Sequence, residues 1–286
     1  MPELPEVETL RRELDKKLQG KKIAQVEVFW AGAIKPATAK KFKKIVTGRK
    51  ILEVNRRAKI LLVSLNDNSK LAIHLKMTGQ LVFTPKVGRL IVGGHPTDKL
   101  EMPGKHTRLV FHFTDQSKLY FNDLRKFGWV KILDEELKKY IDTELGIEPL
   151  SAKCTMVHFK KIFKKYPNRT VKQILLDQKL IAGIGNIYAD ETCFLAGILP
   201  WRKAKTLTER EIKKIKAKII AVLNKSLRYG GTSARDYVRS DGIPGGFAPH
   251  LTVYGRAGLS CKTCGTLIQK TKHVGRGTHF CPKCQR

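Results

Sequence analysis

The chain contains no apolar run long enough to cross a bilayer, so no membrane-spanning helix is expected. It also lacks a secretory signal pattern, an internal repeat and a Walker-type phosphate loop, which leaves nucleotide triphosphates without a recognisable site. Acidic residues are scarce: 25 Asp and Glu face 56 Lys and Arg, a net charge of +31. A deficit of that size concerns partners rather than fold. It favours nucleic acid, where each phosphate neutralised releases counterions, over an acidic membrane surface or a merely solvated lysine coat. Cysteine is scarce too, at six residues. Cys154 and Cys193 stand alone and are expected to be buried small hydrophobes. The other four are bunched near the end of the chain, which suits a metal site in a reducing compartment better than a disulfide framework.

What the chain does have begins at its second residue. The opening is Met1-Pro2-Glu3-Leu4-Pro5-Glu6-Val7-Glu8-Thr9. Methionine before proline is normally trimmed in cells, which would leave Pro2 as a terminal secondary amine beside Glu3 and Glu6. An α-amino group titrates near about 8, against about 10.4 for lysine, so more of it is neutral and nucleophilic at physiological pH. Condensation with a sugar aldehyde gives an iminium that stays cationic and can drive eliminations. The same residues also fit ordinary helix-start chemistry, with proline early and acids in the first turn. Val7, Leu10, Leu14 and Leu18 predict an amphipathic helix over 5–18.

With 286 residues, the chain can form one large domain or two medium ones. Alternating segments at 23–29, 50–56, 60–65, 70–74, 81–83, 108–114, 118–121 and 129–133 predict short strands of a sandwich or barrel. Glycines, prolines and basic residues over 85–105 predict an exposed loop. From about Asp134 the pattern turns helical, with a linker near 146–151 and helices at 154–165, 170–176, 186–196 and 208–229. Thr208 and Glu211 have capping-box spacing. A glycine- and proline-rich stretch follows, from 229 to 258.

The most specific local motif is Cys261-x-x-Cys264, sixteen residues, then Cys281-x-x-Cys284. Paired thiolates at this spacing match a tetrahedral structural zinc site, closed by four protein ligands and therefore not catalytic. A hairpin between the pairs would carry Gly275-Arg276-Gly277 at its tip, with Arg276 either a solvated turn residue or a phosphate contact. Gly183-Ile184-Gly185-Asn186 would let backbone approach a ligand, with Asn186 as N-cap of the next helix, though a plain connecting turn fits equally. Lys59 follows Arg56-Arg57-Ala58 at a strand start, where basic residues are usually surface charge. Met77 in His74-Leu75-Lys76-Met77-Thr78-Gly79 and Phe127 in Asp123-Leu124-Arg125-Lys126-Phe127-Gly128 are either core residues or, with an arginine beside them, apolar wedges that unstack bases.

Together these motifs, with Val253-Tyr254-Gly255-Arg256, resemble over the whole chain the formamidopyrimidine-DNA glycosylases, the bacterial 8-oxoguanine DNA glycosylase/AP lyases. The resemblance implies an α+β, multi-domain fold. Its parts would be an N-terminal two-layered β-sandwich with flanking helices (2–134), a linker (135–152), a helix–two-turn–helix domain with a lesion-covering loop (153–250) and a zinc-finger β-hairpin (251–286). DNA would lie between the two lobes. Carried over residue by residue, Pro2 is the nucleophile at the sugar C1′, Glu3 the general acid and base, and Glu6 a support of the pocket. Lys59 and Arg276 grip phosphates flanking the lesion and assist β- and δ-elimination. Asn186 holds phosphate from the other lobe. Met77, Arg125 and Phe127 fill the space left by the everted nucleotide, His106 and Arg169 contact the backbone, and 235–247 covers the base. One structural zinc ion, damaged double-stranded DNA as partner, no membrane, no nucleotide cofactor, a monomeric state and a bacterial cytoplasmic, nucleoid-associated location are implied with it. The neighbouring alternatives are an endonuclease VIII-like enzyme for oxidised pyrimidines, against which Leu4 argues because that branch typically has glycine there, and a non-catalytic zinc-ribbon DNA-binding protein.

Overall fold

Apolar residues at positions 7, 10, 14 and 18 lie on one stripe of a helix, and this stripe organises the amino-terminal half of the molecule. In the computed structural model, which describes residues 1–86, 91–94, 102–232 and 246–286, helix α1 runs Leu4–Leu18. Val7, Leu10, Leu14 and Leu18 are all at most 1% exposed. Nine strands follow: β1 (Ile23–Val28), β2 (Ile51–Arg57), β3 (Ile60–Leu65), β4 (Lys70–His74), β5 (Gly79–Thr84), β6 (Ile91–Gly94), β7 (Thr107–Phe113), β8 (Lys118–Asp123) and β9 (Trp129–Ile132). They form two antiparallel sheets, ordered β1-β7-β8-β5-β6 and β2-β3-β4-β9. Alternate residues of both sheets, including Val54, Leu61, Val63, Leu81, Phe83, Phe111 and Phe121, join the α1 stripe in one continuous core. The expected two-layered sandwich is therefore present.

Two features depart from the sequence reading. Part of the loop expected over 85–105 is strand β6, which pairs with β5 from Gln80↔Gly94 to Phe83↔Ile91. The β-branched pair Ile91-Val92 extends the sheet edge despite the glycines around it. Residues 87–90 and 95–101 of that segment lie outside the described residues. A second helix, α2 (Ala39–Val46), had no counterpart in the sequence reading. Thr38 caps it by accepting from the Lys41 N–H at 3.2 Å, and only Phe42 and Val46 are buried, so its apolar face is too narrow to stand out in a lysine-rich stretch.

The chain divides into two compact units, 1–139 with 229–246, and 140–228 with 247–286. Helix α3 (Glu135–Lys139) closes the first segment of the first unit. The second unit holds α4 (Met156–Lys165), α5 (Val171–Leu176), α6 (Asn186–Ala196), α7 (Glu209–Arg228) and the hairpin β10 (Gln269–His273) and β11 (Arg276–Phe280). Thr155 and Thr170 cap α4 and α5 through their side chains. Thr208 and Glu211 exchange bonds at 2.8 and 3.2 Å ahead of α7, the capping box expected from their spacing. Cys154 and Cys193 are buried, as anticipated. Among the described residues no helix is long and apolar enough to cross a membrane.

Glu8, in the second turn of α1, ties that helix to the β2–β3 hairpin. Its carboxylate accepts from Arg56 Nε at 3.0 Å, Arg11 Nη2 at 3.0 Å and Arg12 Nε at 2.8 Å. Burial would raise its pKa, but the bonds from Arg11, Arg56 and Arg12 outweigh burial and hold the carboxyl below its ordinary 4.5. A carboxyl with a depressed folded pKa contributes stability that is complete above the unfolded value and lost as pH falls through the folded one. Glu8→Gln should therefore lower the melting temperature at neutral pH, with the gap to the parent protein closing below about pH 4. Melting curves across pH test this, and a gap that stays constant into acid would refute the assignment.

Candidate active site

The start of α1 concentrates buried acid. Glu3 is its N-cap, and Glu3 and Glu6 form a reciprocal capping box, each side chain accepting from the other's backbone N–H. The Glu3 N–H to Glu6 Oε2 bond is 2.8 Å. Both carboxylates are only 2% exposed, and Pro2 is buried beside them. The second Glu6 oxygen accepts from the Thr232 N–H at 2.7 Å. Gly231, at φ +88°, passes so close that a Cβ there would sit 3.1 Å from the Glu6 side chain. Glu6 thus fastens the 229–232 segment to the amino end of α1.

Lys59 occupies the two-residue turn between β2 and β3 and is 6% exposed. Ala58 in that turn adopts φ 53°, and its carbonyl accepts from Arg56 Nη1 at 2.7 Å. The same Arg56 bonds Glu8, so one guanidinium braces the lysine turn against α1. The lysine charge also reaches His74, at the end of β4. Burial, then Lys76 and Lys59, push the imidazole down to about 3. Its Nδ1 accepts from the Lys76 N–H at 2.9 Å, which leaves the proton of the neutral ring on Nε2 as a donor. Nothing in the motif around His74 signals this state. An imidazole kept neutral between lysines is a feature that only the packing reveals.

Met77, Arg125 and Phe127 come together at the surface. Met77 is 39% and Phe127 52% exposed, so neither is the core residue its hydrophobicity would suggest. Arg125 Nη1 lies 3.3 Å from Met77 Sδ, and its guanidinium stacks 4.7 Å from the Phe127 ring centroid. Asp123 builds this cluster from below. It is fully buried; Oδ1 accepts from Thr78 Oγ1 and Oδ2 from the Gly128 N–H at 2.6 Å. Thr78 in turn accepts from the Arg125 N–H at 3.0 Å. One carboxylate therefore spans the 124–128 loop and joins it to the turn that carries Met77. His106 is half-buried, and its carbonyl accepts from the Asp123 N–H at 2.9 Å. Burial, then Lys105 and Arg108, hold its ring below the ordinary histidine pKa.

In the second unit, the four cysteine Sγ atoms lie within 4.8 Å of one another. The Cys261–Cys284 and Cys264–Cys281 separations are 3.9 and 3.5 Å. Zinc–thiolate bonds of about 2.3 Å require tetrahedral edges of about 3.8 Å, so the set fits one zinc ion. Val274 and Gly275, both at positive φ, make the hairpin turn, and Arg276 is the exposed first residue of β11 rather than the centre of the tip. Asn186 also differs from expectation. Gly185 is the N-cap of α6, and Asn186, in the first turn, donates from Nδ2 to the Gly277 carbonyl at 2.9 Å. Next to it lies an ion pair with no exposed atoms, Lys172 Nζ to Asp190 Oδ1 at 2.5 Å. Lys172 also donates to Thr278 Oγ1 at 2.8 Å, and Asp190 accepts from the His279 N–H at 2.9 Å. Three helix residues thus hold β11 immediately after Arg276. Asp190 and Glu191 were missed as fasteners. Their signal was present: two adjacent acids in a helix whose other residues are mostly apolar must face buried partners. Glu191 meets this by accepting from the N–H groups of Thr252, Val253 and Tyr254 at 2.8 to 3.0 Å. Arg169, expected at the DNA backbone, bonds Asp177 Oδ2 at 2.8 Å and stacks on Tyr166. Of the expected base-covering segment 235–247, residues 235–245 lie outside the described residues.

The two units thus carry separate halves of the expected set. Pro2, Glu3, Glu6, Lys59, Met77, His106, Arg125 and Phe127 belong to the first, and Arg169, Asn186, Arg276 and the cysteines to the second. Comparison with known proteins matches three family models in order: the formamidopyrimidine-DNA glycosylase N-terminal domain over residues 1–130, its H2TH domain over 145–238, and the zinc finger found in FPG and IleRS over 258–286. The formamidopyrimidine-DNA glycosylase of Carboxydothermus hydrogenoformans is 40% identical over 286 residues, covering 100% of both chains. That of Geobacillus kaustophilus is 41% identical over 290 residues, again with 100% of each covered. Among solved structures, a Lactococcus lactis FPG variant in complex with Fapy-dG-containing DNA superposes with a TM-score of 0.87 at 35% identity over 100% of both chains. The same organism's enzyme with abasic-site DNA gives 0.86 at 35% identity over 99% of both.

Structural zinc contributes folding free energy directly. Cys281→Ser should bind less than one zinc per chain and unfold the hairpin, measured by metal analysis and loss of protection of the 269–280 amides. Full zinc content would contradict the ligand set. Asp190→Asn leaves Lys172 as an uncompensated buried cation and should cost about 3–5 kcal/mol. A denaturation midpoint unchanged from the parent would show that the pair is not needed.

Proposed function

The chain belongs to the formamidopyrimidine-DNA glycosylase family, and we propose that it is a bifunctional DNA glycosylase and AP lyase of base excision repair. It removes oxidised purines such as 8-oxoguanine and formamidopyrimidines from duplex DNA. The observation that carries this reading is the pair of buried carboxylates, Glu3 and Glu6, locked by reciprocal bonds next to Pro2. An amine with an adjacent carboxylate supplies both nucleophile and proton shuttle.

A base inside a duplex must first be everted, at a cost of a few kcal/mol. The exposed Met77, Arg125 and Phe127 cluster suits the vacated space, and Lys59, Asn186 and Arg276 suit the phosphates around it. Once Met1 is removed, the Pro2 nitrogen attacks C1′ and the glycosidic bond breaks, with Glu3 managing the proton near the ring oxygen. The resulting iminium acidifies the C2′ proton. Its loss expels the 3′ phosphate, and a further elimination expels the 5′ phosphate, leaving a one-nucleotide gap with phosphates at both ends. The zinc ion takes no part in these steps; it stiffens the hairpin that presents Arg276. In this reading 2–134 is the catalytic domain, 135–152 a linker, 153–250 the helix–two-turn–helix domain and 251–286 the finger. The protein acts as a monomer without a nucleotide cofactor, on nucleoid DNA in the bacterial cytoplasm.

Borohydride reduction during reaction with 8-oxoguanine duplex should trap a covalent conjugate, and peptide mass spectrometry should place it on Pro2. Pro2→Gly should abolish trapping and nicking while duplex binding persists. A conjugate on a lysine, or none, would overturn the Pro2 chemistry, and faster cleavage of thymine glycol duplex would overturn the substrate class.

A further inference from the structure

Helix α2 carries Lys40, Lys41, Lys43 and Lys44 in two turns, and all four are exposed. The apolar side of the helix is spent on the core: Phe42 and Val46 are both 0% exposed. At 3.6 residues per turn, positions 40, 41, 43 and 44 share the opposite arc, with neighbouring Cβ atoms about 5–6 Å apart. Lys22 and Lys50 are also exposed and face each other across an antiparallel bridge shortly beyond the end of α2.

Nothing nearby along the chain neutralises this face. No Asp or Glu occurs between Glu27 and Glu53. Glu27 faces His112 at 2.6 Å, and Glu53 accepts from Ser64 Oγ at 3.1 Å. The acids that approach from other segments already have cations: Asp67 pairs with Arg49 at 2.9 Å, and Asp115 with Lys21. None of the six lysines makes an ion pair among the described residues. Counter-charge across helices does occur elsewhere in the chain. Lys160 of α4, for example, pairs with Glu209 of α7 at 2.6 Å, whereas no lysine of α2 has such a partner among the described residues.

At its Lys22 and Lys50 edge the patch is also remote from Pro2 within the same unit. Gly20, just past the end of α1, donates to the Ile51 carbonyl at 2.8 Å, which puts Lys50 at the carboxyl end of that helix. Pro2, Glu3 and Glu6 are at the other end, and 15 residues at about 1.5 Å each span about 22 Å.

We propose that the α2 lysine face is a second, sequence-independent binding surface for duplex DNA, separate from the catalytic site. Its chemistry chooses among polyanions. Protein interfaces are anchored by aromatic and arginine residues and are depleted in lysine. Membrane-surface helices insert an apolar face, and the apolar face of α2 is buried in the core. Lysine is a flexible point charge that suits phosphate without base readout. A protein that holds one duplex in its site and a second on α2 can pass between DNA segments without fully dissociating. Charge and packing alone carry this surface, whether or not Pro2 is the nucleophile.

The test uses the intact protein saturated with a one-turn duplex carrying a tetrahydrofuran abasic analogue, which lacks the C1′ aldehyde needed to form the iminium and so is not cleaved, then titrated with a labelled one-turn undamaged duplex at low salt. The parent should take up the second duplex. The variant K40Q/K41Q/K43Q/K44Q should bind it at least about tenfold more weakly, with the slope of log affinity against log salt shallower by about 0.9 for each phosphate that is no longer neutralised. Cleavage of a lesion in a one-turn duplex should be unchanged. Gln is nearly as good a helix former as Lys, so the fold should survive; the milder K43Q/K44Q serves if circular dichroism shows otherwise. Absence of a second duplex on the parent, or equal uptake by parent and variant, would overturn the proposal. So would a variant that loses binding to anionic lipid vesicles while keeping the second duplex.

Discussion

Two carboxylates kept out of water at the first turn of one helix are the constraint on which the amino-terminal unit depends. Burying a charged group is costly unless hydrogen bonds replace its water. Ser or Thr would cap α1 at lower cost, yet the chain places Glu at both the N-cap and the third helical position. The helix amino end favours negative charge, and the reciprocal bonds supply the lost solvation. Because those bonds are mutual, neither side chain can swing away without exposing the other's donor. The geometry at Pro2 is thus fixed by the same interactions that start the helix. Glu6 extends the lock to Thr232, and Glu8, one turn on, extends it through Arg56 to the turn carrying Lys59.

The second unit solves a similar problem with the opposite emphasis. A buried ion pair is weak evidence for stability, since desolvation offsets much of its attraction. It is strong in geometry, because each group has a defined set of partners. Lys172 and Asp190 meet β11 at Thr278 and His279, Asn186 meets it at Gly277, and the cysteine cluster holds the following residues. At the turn, His273 Nε2 lies 2.9 Å from Thr170 Oγ1. Arg276 is left exposed between fixed points, so its position is set before any ligand arrives.

Much of this was legible in the sequence because it rests on local signals. The zinc ligands are set by spacing, α1 and the four larger helices of the second unit by apolar periodicity and caps, and most strands by alternation. What escaped depends on distant partners. Helix α2 buries only two apolar residues, and β6 exists only because β5 lies beside it. Asn186 has N-cap chemistry, but a carbonyl 91 residues away takes its amide and Gly185 takes the cap. Asp123 was visible as part of a motif, while its work of joining the 124–128 loop to Thr78 required two turns to be folded against each other. Met77 and Phe127 show the limit most clearly. Their residue types leave core and surface wedge open, and the buried acid beneath them accounts for their place at the surface.

The charge of the chain follows the same division between fastening and binding. Arginines at 11, 12, 49, 56, 169 and 202 are engaged with carboxylates. A planar fork makes bidentate or shared bonds with fixed geometry, which suits arginine to fastening, a task that the buried Lys172 shares in the second unit. With 25 acids against 56 bases, most of the positive charge has no carboxylate to meet. The lysines that remain repel one another, a strain on the compact state that grows at low salt. It is relieved wherever a polyanion lies across them, so a surface that costs stability in the free protein becomes favourable once DNA is bound. Such a chain is expected to gain stability from undamaged duplex, before any lesion is met.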